Sequence, residues 1–481
     1  MKNWNVRKQV VAREDMPEEH RLHQSLSWPH LIALGVGAIV GTGILTLTGV
    51  GAAKAGPAVI LSFAIAGIIC AAAALAYAEM ATMYPASGSA YTYSYIVFGE
   101  LVAWFVGWSL ILEYSLVVSA VAVGWSGYAS PLLIQSIGFP EWLTHAPVLA
   151  GSLQGGTLEI AQAGLNLPAI FIIGVVAALL IAGTRESATL NAVLVLVKIL
   201  ALIVFVAVTL PYFNSANLDP FMPFGFPKSG PAGAEVGVMA AAAIIFFAFY
   251  GFDAIATAAE ETKNPARDLS IGIVGSMVAC VLIYMAVGGA AVGALSYTQF
   301  ANSPEPLALI LRQIGQPLAA NYLAVSAVIA LPTVILAFFY GQSRIFFVMA
   351  RDGLLPQSLA RVSGRGSPTR ITLFTTVVVA VLAGIVPLDQ LAALANAGTL
   401  TAFIAVALCM LVMRRRAPDM ARTFRTPLPW VIGLVAILGC AYLFYNLPQT
   451  TQIYFLLAHV LGIAIYLLYG SSRAERARAG A

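Results

Sequence analysis

Charge is scarce in this chain. Only 10% of its 481 residues are Asp, Glu, Lys or Arg, against about 25% in ordinary soluble domains. With 60% hydrophobic residues and a mean hydropathy of +0.88, its apolar runs are too long and too frequent for soluble cores. That argues against a cytosolic enzyme, a secreted disulfide protein and a disordered scaffold. Cysteine is scarce too: Cys70, Cys280, Cys409 and Cys440 all lie in apolar runs at no metal-ligand spacing, where cysteine packs as a small hydrophobe. Of the few histidines, His20 and His23 form a pair with no third ligand nearby, which reads as solvated rather than metal-binding. No metal, cofactor or nucleic-acid partner is expected. The first apolar run follows a mixed-charge leader, Met1 to Pro29, so no cleavable signal peptide is expected either.

What the chain has instead is a series of membrane-length runs. About 20 apolar residues span the hydrocarbon of a bilayer. Such runs occur at 31–53, 58–83, 96–123, 167–183, 188–210, 235–258, 270–295, 320–349, 371–387, 390–413, 428–446 and 452–469. The reading is an all-α polytopic membrane protein with 12 transmembrane helices. With the N-terminus inside, 21 Lys and Arg residues fall on the cytoplasmic side, 3 outside, and one, Lys198, within a span. The positive-inside rule then places both termini in the cytoplasm. The basic tail from Arg473 to Arg478 reads as a topology anchor, and no loop is long enough for a soluble catalytic domain.

Two spans are interrupted. The first carries four glycines between Gly35 and Gly43, with Gly41-Thr42-Gly43 near its middle. Small residues there permit close helix packing, or else mark an unwound segment that faces a buried ligand. The sixth span decides between these, because Phe246-Phe-Ala-Phe-Tyr-Gly-Phe-Asp253 breaks a second apolar run five spans later. Matched interruptions in two five-span halves point to a transporter binding site at mid-membrane. Half-helix N-termini there receive a carboxylate and unwound carbonyls an ammonium. An α-amino acid offers both.

The segments Gly37-Ala-Ile-Val-Gly-Thr-Gly-Ile44, Phe249-Tyr-Gly-Phe-Asp253, Glu260-Glu-Thr-Lys-Asn-Pro-Ala-Arg267 and Met349-Ala-Arg-Asp-Gly-Leu-Leu355 resemble the amino acid–polyamine–organocation superfamily. Within it, the chain is similar to bacterial members of the cationic amino acid transporter family. The resemblance implies a LeuT-like 5+5 inverted repeat with helices 1 and 6 unwound. The first repeat would occupy 30–215 and the second 230–415, followed by two C-terminal helices at 427–470, with a cytoplasmic leader at 1–29 and a basic cytoplasmic tail at 471–481. It further implies an amino acid permease of the bacterial plasma membrane that takes cationic or small neutral substrates. Gly41, Thr42 and Gly43 would receive the substrate carboxylate, with Ile39 nearby, and the carbonyls of Phe247, Ala248 and Tyr250 its ammonium. Thr333 matches a position that helps bind an ion in sodium-coupled relatives, but Pro332 stands where many of those have a small hydroxyl residue. A small accessory membrane subunit is conceivable, with no signature in this sequence.

Ionisable residues at membrane depth are functional candidates by default. Lys198 lies ten residues into its span, about 15 Å from its end at 1.5 Å per residue. Either it pairs structurally, most plausibly with Glu113, or it binds and releases a proton during transport. The resemblance favours the second, since related transporters place a lysine amine where others hold sodium; that implies proton rather than sodium coupling, with a proton-independent exchanger as the rival. Glu113 is read as the partner of Lys198 or as a contact for the substrate side chain. Asp253 is read as an N-cap, a gating or proton-sensing acid, or both. Glu79, near the inner end of its span, reads as a hydrated interfacial carboxylate. Glu260, Glu261, Lys263 and Arg267 read as a charge network at the cytoplasmic mouth, with Arg344, Arg351 and Asp352 as candidate partners. A channel would need a selectivity loop or a charged ring, and an enzyme a catalytic set at depth; the sequence has neither.

Overall fold

The computed structural model describes residues 6–8, 26–86, 88–150, 159–182, 188–231, 234–259, 262–301, 303–356, 369–471 and 473. Most of the leader and tail, His20, His23, Arg185, Glu260 and Glu261 lie outside them. Helices dominate: α1 (Trp28–Ile39), α2 (Thr42–Leu45), α3 (Leu47–Ala55), α4 (Val59–Met83), α5 (Ser89–Phe98), α6 (Glu100–Ile137), α7 (Leu167–Ala182), α8 (Ala188–Thr209) and α9 (Val238–Ile245) form the first part. There follow α10 (Asp253–Thr257), α11 (Pro265–Ala294), α12 (Tyr297–Phe300), α13 (Pro306–Gln313), α14 (Pro317–Arg351), α15 (Thr369–Ile385), α16 (Leu388–Arg416), α17 (Pro429–Asn446) and α18 (Gln449–Ile465). The fold is all-helical as expected, apart from two short antiparallel strands in one loop, β1 (Val148–Ala150) and β2 (Glu159–Gln162).

Among the described residues, nine helical segments are long and apolar enough to cross a bilayer, and three shorter apolar helices, Trp28–Ile39, Leu167–Ile181 and Thr369–Ile385, accompany them. The boundaries depart from the apolar runs where glycine or proline intervenes. The run expected at 96–123 is a separate α5 and a 38-residue α6, divided at Gly99, whose φ of 97° strains a residue with a side chain. By contrast, α14 runs for 35 residues straight through Pro332. The first expected span is divided among α1, α2 and α3.

These elements place one segment at the centre. The apolar window of Val238–Thr257 is buried along its whole length, whereas those of Pro429–Asn446 and Gln449–Gly470 are only 28% buried. The last two helices therefore present a wide apolar face outward, with Leu438, Leu456, Val460 and Leu468 all exposed. Around the central segment pack α4, α16, α3 and α2, while α1 lies between α11, α8 and α14, and the long α6 crosses both α14 and α16.

Candidate functional site

The first break begins where α1 ends at Ile39. Val40 is extended, at φ −74° and ψ 94°, and Gly41 adopts φ −150°, ψ −144° before α2 starts at Thr42. The first bond of α2 runs from Leu45 N–H to the Gly41 carbonyl, so the N–H groups of Thr42, Gly43 and Ile44 precede it and are the positive end of the short helix. Breaking a helix in an apolar interior frees carbonyls that need partners. Here they come from three neighbouring helices. The Lys198 amine donates to the Gly37 carbonyl at 3.0 Å, the Tyr284 hydroxyl to Ile39 at 2.8 Å, and the Tyr128 hydroxyl to Leu45 at 2.7 Å.

The second break follows α9. One 3-10 turn, Phe246–Ala248, leads through Phe249 and Tyr250 to Gly251 at φ 122°, and α10 begins at Asp253. A side chain at Gly251 would be strained by that φ, and its first carbon would lie 3.0 Å from the Ala38 carbonyl carbon. The two breaks touch: a Cβ on Gly43 would lie 2.3 Å from the Ala248 Cα. Glycine at both positions is what lets the unwound segments approach. Asn396 of α16 donates to the carbonyls of Ala243 and Ile244 at 2.7 and 3.0 Å and so holds the last turn of α9.

Asp253 opens the second half-helix. Its Oδ1 accepts from the Gly251 N–H at 3.1 Å, and its Oδ2 from the Tyr114 hydroxyl at 2.8 Å. Gly341 of α14 leaves the notch for the Tyr114 ring, since a Cβ there would lie 2.6 Å from that ring.

The residues singled out from the sequence fall into two groups. Ile39, Gly41, Thr42, Gly43, Phe247, Ala248 and Tyr250 are all buried and line the two breaks. The Ile39 carbonyl is taken by Tyr284, and the Thr42 hydroxyl points to the Val121 carbonyl at 3.4 Å. Lys198 lies behind the first break, where Thr333 accepts from its amine at 3.0 Å and donates onward to the Ala330 carbonyl at 2.7 Å. Glu113 is elsewhere and is not the hydrogen-bond partner of Lys198. It packs against Gly398 of α16 and shares its surroundings with Asp253, Tyr250 and Thr399. Both of its carboxylate oxygens and the Tyr250 hydroxyl are buried without a hydrogen-bond partner.

One further expectation is corrected. Glu79 is not hydrated: it is fully buried, 2.6 Å from Arg414 and 3.3 Å from Arg422, and it accepts from the Thr426 N–H at 2.9 Å. The loop after α16 folds back over α4 and covers it. Of the charge network expected at the cytoplasmic mouth, Glu260 and Glu261 lie outside the described residues; Asp352 pairs with Lys8 at 2.7 Å and accepts from the Tyr91 hydroxyl at 2.9 Å, and Arg344 and Arg351 also stack on Tyr340 and Phe347. Asn396, Tyr114, Tyr128 and Tyr284 were not singled out from the sequence. For Asn396 the signal was there, an amide inside an apolar run; tyrosines in such runs gave none.

Comparison with known proteins places this geometry. A family profile described as amino acid permease matches residues 26–465. The chain is 43% identical to the branched-chain amino acid permease BcaP of Bacillus subtilis (strain 168) over 459 residues, 95% of each chain. It is 40% identical to the methylthioribose transporter of the same organism over 93% of this chain and 94% of that one. Identity to cationic amino acid transporter 3, mitochondrial, of Arabidopsis thaliana is 37%, over 86% of this chain and 66% of that one. The chain belongs to the amino acid permease family of the amino acid–polyamine–organocation superfamily, and it is a multi-pass membrane transporter, not an enzyme.

Proposed function

We propose that the chain carries L-amino acids across the bacterial plasma membrane by alternating access, coupled to a proton through Lys198. Twelve spans in two inverted five-helix halves, 30–215 and 230–415, would put the paired breaks at the midplane, with both termini cytoplasmic. The substrate carboxylate meets the N–H groups at Gly41, Thr42 and Gly43, and its ammonium the carbonyls of Phe247, Ala248 and Tyr250. The observation that carries the coupling is the Lys198 amine, bonded to the Gly37 carbonyl and the Thr333 hydroxyl. A protonated amine ties the end of α1 to α14; losing the proton turns both of these bonds from charge-assisted to neutral, and the weaker tie lets α1 tilt. Asp253 and Glu113 provide acids beside the second break.

Two side-chain classes are supported by different observations. Apolar walls from Leu331, Val334, Phe247 and Phe338 near the breaks favour aliphatic substrates, as does similarity to a branched-chain permease. The unpartnered Glu113 carboxylate favours a cationic side chain. Similarity to a methylthioribose carrier at 40% identity means that family membership alone leaves the substrate open. The test is uptake of labelled leucine, alanine and arginine into proteoliposomes, with and without an inward proton gradient, by wild type and Lys198→Ala. The expected result is gradient-driven accumulation that is lost in the variant while counterflow survives. Exchange that ignores the gradient in both proteins would make this an exchanger and leave Lys198 a structural cation.

A further inference from the structure

The helix α5 joins the end of α4 to the start of α6, at the face assigned above to the cytoplasm. Its sequence, Ser89-Ala-Tyr-Thr-Tyr-Ser-Tyr95, is rich in hydroxyls, and these divide into two sets. Tyr91 and Tyr95 are satisfied by carboxylates: Tyr91 donates to Asp352, and Tyr95 to Glu100, which also receives the Tyr466 hydroxyl. The second set is buried and unsatisfied. The hydroxyls of Ser89, Tyr93 and Ser94, and of Tyr77 facing them from α4, make no well-formed hydrogen bond, Tyr77 only approaching Ser89 and Ser94 the Cys409 thiol, and all four residues are at most 1% exposed.

Unpaired buried hydroxyls destabilise a fold, and native proteins keep few of them. Here they form one seam. The Tyr77 and Tyr93 rings meet edge-on with centroids 6.4 Å apart, Ser89 lies beside Tyr77, and Ser94 beside Cys409 of α16. Ser89 is also held at φ 49°, a conformation that residues with side chains seldom adopt. At its inner end the seam reaches the acids. Tyr77 packs edge-on against Phe252 at 5.5 Å, next to Asp253, and lies in the field of both Asp253 and Glu113. At its outer end Ser89 hangs from the turn that follows α4, its N–H on the Ala86 carbonyl at 3.4 Å, next to the exposed Pro85.

We infer that the seam through Tyr77, Ser89, Tyr93 and Ser94 is a proton exit from the acids of the second break to the cytoplasmic face, separate from the route of the amino acid. A hydroxyl both donates and accepts. Each one, bridged by water when the seam opens, takes a proton on its oxygen and passes its own hydrogen to the next. One proton leaves a carboxyl, one reaches the cytoplasm, and every hydroxyl is restored. While the seam is dry and its hydroxyls are unpaired, the file is broken and protons do not leak. This inference rests on the proton-coupled reading above.

The test uses full-length protein in proteoliposomes enclosing a pH-sensitive dye, comparing wild type with Tyr77→Phe, Tyr93→Phe and the double variant. Phenylalanine keeps each ring and removes only an unpaired hydroxyl, so melting temperatures should hold or rise. The expected result is substrate-driven lumen acidification slowed at least tenfold in the double variant, with amino acid counterflow within twofold of wild type. Acidification at the wild-type rate in the double variant would overturn the inference, as would counterflow falling in step with acidification, which would place the seam on the amino acid route. If wild type itself moves no protons with substrate, the coupled reading fails and the exit fails with it.

Discussion

The two breaks solve one problem by different means. Each leaves polar backbone in an apolar interior, which is tolerated only where those groups find partners. At the first break the partners are side chains reaching in from other helices: Lys198, Tyr284 and Tyr128. At the second, Asn396 reaches in likewise to the Ala243 and Ile244 carbonyls, but the broken segment also supplies an acid of its own, Asp253, which folds back on Gly251 and is held by Tyr114. The first break therefore depends on where its neighbours stand, and the second on the state of its own carboxyl as well. A helix that must tilt against the rest of a bundle suits the first arrangement, and a local trigger suits the second.

The largest expected effect comes from destroying the closeness that both breaks require. In Gly43→Val a branched side chain would begin 2.3 Å from the Ala248 Cα, against backbone that cannot yield as a side chain can. Uptake should fall to background, while Gly289→Ala, with nothing within 4 Å of the added carbon, should transport normally. Near-normal uptake by Gly43→Val would mean that the breaks need not touch.

Next comes the acid. Asp253→Asn preserves the acceptor for Gly251 N–H, removes the charge and turns the oxygen that accepts from the Tyr114 hydroxyl into an amide donor. If the second break is a trigger, gradient-driven accumulation should be lost while counterflow persists, since an amide can neither take up nor release the proton. Wild-type accumulation by Asp253→Asn would reduce Asp253 to a helix cap and make the two breaks alike.

This asymmetry was partly legible in the sequence. Glycine clusters and mid-span charge stand out against an apolar background, so Gly41 to Gly43, Gly251, Lys198 and Asp253 announce themselves. Pairing was not legible. Glu113 and Lys198 both lie at depth, but helix rotation turns Glu113 toward Gly398 and Lys198 toward Gly37, and no spacing rule reports rotation. Glu79 misled for a related reason: it sits at a helix end where water is expected, and only the fold of the loop from Ala417 to Leu428 covers it. Tyr114 and Tyr284 were hidden because tyrosine in a membrane helix is ordinary until its hydroxyl is seen to land on a site atom.

A smaller effect separates holding from triggering. Asn396→Ala removes both side-chain bonds to the Ala243 and Ile244 carbonyls, and buried unsatisfied groups cost about 1–3 kcal/mol each. The melting temperature should fall by a few degrees and the KM rise several-fold, with the dependence on the proton gradient intact. A selective loss of gradient dependence would instead make Asn396 part of the trigger.

The smallest effect tests the first break on its own terms. Tyr284→Phe keeps a ring that packs against Phe63 and Phe249 and removes one hydrogen bond, to the Ile39 carbonyl. The net loss should be about 1 kcal/mol, which is roughly fivefold in an equilibrium constant. If partners on other helices set the position of α1, that loss should appear as a shift between the two access states. Cysteine accessibility at the end of α1 should change about fivefold, while stability in denaturant barely moves. An equal change in stability with no shift in accessibility would mean that Tyr284 merely packs and does not set the position of α1.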